Sequence, residues 1–76
     1  MHLSPDEPNQ FSLSRFESML QTNDVYFFDS EEFEGIIHHY LEHGKIALAK
    51  KATKLGLAQH PTSMNLKLFE VEMMIF

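Results

Sequence analysis

The sequence has no cysteine, which excludes a disulfide framework, a thiolate nucleophile and a thiolate metal site. It has no long apolar run. Stretches such as residues 25–28 and 73–76 stop at four residues, against the roughly 20 that a membrane-spanning helix needs. Basic residues are scarce: six Lys and Arg stand against eleven Asp and Glu, for a net charge of −5. The imbalance is local, because residues 1–44 hold nine acids and one base, Arg15, whereas residues 45–76 hold five lysines and two acids. An acidic front half argues against nucleic acid as a partner, since phosphate binding depends on cations. There is no glycine-rich phosphate loop, no Gly-x-Ser-x-Gly elbow and no nucleophile set beside a histidine and an orienting acid. No carboxylate falls on an apolar face where burial would raise its pKa. Neither catalysis nor a cofactor is expected.

The start of the chain lacks a targeting pattern. Residues 1–10 carry two prolines and two acids, with no basic n-region and no apolar h-region. A cytoplasmic location is expected. Residues 1–11 read as a flexible leader. Leu13, Phe16, Met19 and Leu20 then share one helical face, and Ser14 with Glu17 has capping-box spacing. The pattern predicts a short helix over 13–22, ended by Asn23 and Asp24. Residues 25–28 (Val-Tyr-Phe-Phe) are β-prone, but a lone four-residue strand has nothing to pair with here. They are expected to form an extended connector that tucks aromatics over the open end of the following helical hairpin, so that residues 12–29 act as a cap.

The most informative stretch is 30–63. Phe33, Ile36, Ile37, Tyr40 and Leu41 follow the i, i+3, i+4, i+7, i+8 pattern of an amphipathic helix. Asp29 or Ser30 can cap its start, and Asp29 with Glu32 has capping-box spacing. Gly44 supplies a left-handed stop. A second helix should run from about Lys45 to Gln59 and end before Pro61. On it Ala49, Ala52 and Gly56 centre the apolar face, with Leu48 and Leu55 on one flank and Ile46 and Leu57 on the other. Small central residues let two backbones approach, and close packing would account for Gly56, which costs roughly 1 kcal/mol of helix propensity relative to alanine.

These positions resemble a tetratricopeptide (TPR) repeat, a 34-residue helical hairpin. Phe33, Ile36, Ile37, Tyr40, Gly44, Ala49 and Pro61 stand in its register. Ile37, Thr53 and Gly56 depart from it, replacing a small residue, a large aromatic and an alanine. Continuing the period sets Met64 over Ser30, Leu68 over Glu34, Val71 over Ile37 and Met74 over Tyr40. Residues 64–76 alternate as a strand would and also satisfy helical spacing; the repeat register decides for helix. The resemblance therefore implies an all-α fold: an antiparallel TPR-like hairpin, an α-solenoid fragment, with a short N-terminal cap helix and a third helix opening a second repeat, over residues 30–76. A 76-residue chain is one domain at most and buries only about 60% of its unfolded surface. One and a half repeats are expected to self-associate as a dimer, or to belong to a longer chain.

By the same resemblance, Glu31, Glu34, His38, Leu41 and Glu42 would line a concave groove that takes a protein or peptide partner, and an acidic groove favours a basic or neutral one. The alternative is a solvated face held by Glu34–His38 pairing. Leu68, Phe69, Met74, Ile75 and Phe76 would expose a large patch and are candidates for self-association. His38, His39 and His43 share a helix, and the i, i+4 pair His39/His43 could clip a metal. Zinc needs three or four ligands, and the sequence supplies no third, so no metal is expected. Lys50, Lys51 and Lys54 form a basic patch, in the simplest reading a solvated face. The resemblance implies a non-catalytic protein-interaction scaffold. Its rivals are a metal-binding helical domain built on the three histidines and a purely structural cap of a longer array.

Overall fold

A computed structural model describes residues 10–75. Four helices follow one another: α1 Gln10–Thr22, α2 Ser30–Glu42, α3 Ile46–Gln59 and α4 Met64–Met73. The described residues contain no strand, and the fold is all-α. None of these helices is long and apolar enough to cross a membrane.

The central hairpin forms where its signals lie. The Asp29–Glu32 capping box is made, with the Asp29 N–H donating to Glu32 Oε1 at 3.0 Å. At the other end of α2, Gly44 takes φ +70. The Lys45 N–H reaches back to the Tyr40 carbonyl at 2.8 Å, and the Gly44 N–H reaches the Leu41 carbonyl at 3.1 Å. That paired arrangement is a Schellman stop, and it requires the left-handed residue that glycine provides. It turns the chain so that α3 lies back along α2. Ala49, Ala52 and Gly56 of α3 are buried, as are Phe33, Ile36, Ile37 and Tyr40 of α2.

Gly56 marks the tightest approach. A Cβ there would stand 3.1 Å from both Phe33 Cγ and Leu66 Cδ1, so the glycine admits α2 and α4 to the same point of α3. Leu66 and Met73 are the buried residues of α4, and both face the hairpin core. Ser63 caps α4 by accepting the Leu66 N–H at 3.3 Å. The helices α2 and α4 begin 34 residues apart, at Ser30 and Met64.

The front of the chain closes the near end of the hairpin. Phe16 of α1 is fully buried and meets the rings of Phe28 and Tyr40, each at 6.1 Å. Phe28 in turn stands edge-on to Phe33 at 5.4 Å. The connector is extended, so its side chains alternate. Tyr26 and Phe28 turn inward, while Val25 and Phe27 stay exposed. Two of its three aromatics, Tyr26 and Phe28, are thus the ones that tuck in, and Phe27 is not.

Three boundaries also differ from expectation. Helix α1 begins at Gln10, earlier than residue 13, so Ser14 lies inside the helix and does not cap it. The early start is favoured by Ser12, which is buried and hydrogen-bonded to Glu32, and by Arg15, whose guanidinium lies 5.5 Å from the Phe11 ring one turn back. Residues 10 and 11 of the expected leader therefore belong to α1; residues 1–9 lie outside the described part. Helix α4 ends at Met73, short of 76, and Phe76 likewise lies outside.

Candidate interaction groove

Helices α2 and α4 run side by side in the same direction, joined by two successive rungs. Glu34 Oε1 accepts from Asn65 Nδ2 at 3.3 Å. One turn on in both helices, the His38 ring stands edge-on to Phe69, with centroids 5.0 Å apart and planes at 85°. Above these rungs lies a groove of about 500 Å³ lined by Ser30, Glu31, Glu34, Gly35 and His38 of α2 and by Ser63, Met64 and Asn65. Gly35 is buried and adds no side chain to the space.

Of the five groove residues expected from sequence, Glu31, Glu34 and His38 line this space, whereas Leu41 and Glu42 do not. The last two lie further along α2, past the His38–Phe69 contact. The expected Glu34–His38 pairing is not formed either. Glu34 turns to Asn65 and His38 to Phe69, because a neighbouring helix supplies better partners than the next turn of the same one. Two carboxylates and an imidazole on one open wall favour a ligand carrying positive charge or hydrogen-bond donors.

The three histidines do not converge. His38 faces α4, while the His39 and His43 rings pair with each other at 4.2 Å. His43 Nδ1 donates to the His39 carbonyl at 2.7 Å, which leaves that imidazole one free nitrogen. Among the described residues no group of three or more His, Asp or Glu side chains is placed to hold a metal ion.

A second concavity of about 670 Å³ lies between α3 and α4. It is lined by Leu48, Thr53, Met73 and Met74 and rimmed by Lys50, Lys51, Lys54 and Glu70. Thr53 is buried, and its hydroxyl donates to the Ala49 carbonyl at 2.9 Å. Met73 packs beside it, with the sulfur 3.9 Å from Thr53 Oγ1.

Sequence reasoning missed the polar network between α1 and α2. Glu32 accepts from Ser12 Oγ as well as from the Asp29 N–H, and Arg15 Nη1 stands 3.9 Å from Glu32 Oε2. Burial pushes the Glu32 carboxyl up, but the Ser12 hydroxyl, the Asp29 N–H and the Arg15 charge together hold it below its ordinary range. Arg15 also lies over the Phe28 ring at 4.5 Å and donates to the Phe27 carbonyl at 3.1 Å. The Tyr40 hydroxyl donates to Glu17 Oε2 at 3.0 Å. Burial, then the Glu17 hydrogen bond and charge, push the Tyr40 phenol far above its ordinary range. These partners lie 20 and 23 residues apart, too far for any local spacing rule to link them.

No family model, curated protein or solved structure matches the chain.

Proposed function

We propose that this chain is a non-catalytic protein-interaction scaffold of the TPR type, which holds an extended basic or neutral peptide in the α2–α4 groove and pairs with a second copy of itself. The observation that carries the reading is the groove itself: two parallel helices that begin 34 residues apart present Glu31, Glu34 and His38 along one concave wall. The exposed residues of α4 support self-association into a homodimer, and the same exposure suits a unit capping a longer array. A cytoplasmic setting belongs to this reading. The metal-binding alternative finds no support in the separated histidines.

Fluorescence anisotropy with labelled extended peptides tests the groove. A lysine-rich peptide is expected to bind more tightly than a glutamate-rich one of equal length, and the preference should reverse in the Glu31→Lys, Glu34→Lys double variant. Equal affinity for both peptides, or a preference untouched by the double variant, would overturn it.

A further inference from the structure

Helix α4 is apolar on two opposite sides. At 100° per residue, Leu66, Phe69 and Met73 fall within an arc of about 60°, and these are the residues it turns toward the core cluster. Met64, Leu68, Val71 and Ile75 fall within another arc of about 60° on the far side. They are 73%, 57%, 58% and 83% exposed. Ile75 lies just past the helix end, but the Met74 and Ile75 N–H groups still reach back to Glu70 and Glu72, so the helical path carries on to it.

The outward stripe is spaced by four, three and four residues, which is the d-a-d-a rhythm of a two-stranded coiled coil. In that register Lys67 is a g position and Glu72 an e position; both are exposed. When two such helices lie parallel, each g residue meets the partner's e residue five positions further on. Lys67 of one copy then meets Glu72 of the other, twice across a two-fold axis. Antiparallel pairing sets g beside g and e beside e, and joins neither charge to its complement. The core-facing arc of α4 is opposite the stripe, so both globular bodies hang on the outside of the pair.

We infer that the stripe Met64, Leu68, Val71 and Ile75 docks against the same stripe of a second copy, with the two α4 helices parallel and with reciprocal Lys67–Glu72 pairs fixing that orientation. The inference rests on the self-association read above and specifies its geometry.

Sedimentation equilibrium on the full chain tests it, with far-UV circular dichroism to verify folding, since both charged residues lie outside the core. The wild type is expected to dimerise. K67E or E72K alone sets two like-charge pairs across the axis and should weaken the dimer roughly tenfold. An equimolar mixture of K67E and E72K should recover affinity as a heterodimer, and so should the K67E/E72K double variant. If the wild type dimerises but the single variants match it, or the mixture gains nothing, the parallel geometry is wrong while self-association stands. A wild type that stays monomeric at every concentration overturns both.

Discussion

The side-chain amide of Gln59 stands beside Phe28 as a neighbouring strand would, its Oε1 accepting the Phe28 N–H at 3.0 Å. Its Nε2 donates to the Tyr26 carbonyl at 2.7 Å. One side chain thus satisfies two backbone groups on one edge of a β-prone segment that has no sheet to join. His60 extends the clasp, its Nε2 donating to the Phe28 carbonyl at 2.6 Å. Gln59→Ala strips partners from two backbone groups that are partly screened from water, and leaving such groups unpaired costs about 1–3 kcal/mol. Urea denaturation should show that loss. Gln59→Glu keeps the acceptor but sets a carboxylate against the Tyr26 carbonyl, so it should be destabilised as well. If Gln59→Ala melts like the wild type, the connector is held by Phe28 packing alone.

Gly56 inverts a usual rule. Gly→Ala inside a helix normally stabilises by roughly 1 kcal/mol. Here the added methyl would press on the Phe33 ring and Leu66, both fully buried. The ring cannot retreat easily, because Phe28 and His60 stand against it. Overpacking of this kind costs about 1–3 kcal/mol, so Gly56→Ala is expected to lower stability on balance. A raised melting temperature would show that α3 can move away from α2.

The network between α1 and α2 predicts opposite pH limbs. The folded pKa of Glu32 is depressed. Its stabilisation is therefore complete above the unfolded carboxylate value of about 4.3 and is lost as pH falls through the folded pKa. For Tyr40 the folded pKa is raised. That contribution is complete below the unfolded value of about 10 and is lost as pH rises toward the folded pKa. Denaturation midpoints followed across pH should show Glu32→Gln flattening the acid limb and Tyr40→Phe flattening the alkaline one. Each variant should leave the other limb as it was.

Much of the hairpin is legible because its signals are local. The α2 face, the Asp29–Glu32 box and the Gly44 stop each lie within a few residues, and the small residues of α3 predict where the backbones meet. The groove is legible only in part. Helical spacing sets Glu31, Glu34 and His38 on one side of α2, but whether that side walls a groove, and where the groove ends, depends on the placement of α4, which no spacing within α2 encodes. The early start of α1 escapes for the same reason: Ser12 is held by Glu32, on another helix. In α4, the 34-residue period correctly places the start, yet Phe69 turns inward to His38 while Met64 and Val71 face outward, because α3 and α2 decide which apolar side is covered.

Thr53 gives a last test, of the space between α3 and α4. Its hydroxyl bonds to the Ala49 carbonyl, the acceptor that the helix already uses, so the polar group adds little and Thr53→Val is expected to stay within about 0.5 kcal/mol of the wild type. A large residue is different. Here Met73 is 4% exposed and its sulfur lies 3.9 Å from the threonine oxygen. Thr53→Phe would have to displace Met73, at a cost of about 1–3 kcal/mol for overpacking. Because Met73 and Leu66 are the buried residues of α4, the strain should loosen that helix before the hairpin. Hydrogen exchange should then quicken at α4 amides while those of α2 hold. Unchanged protection throughout would mean that the phenyl ring enters the neighbouring 670 Å³ cleft and leaves Met73 in place.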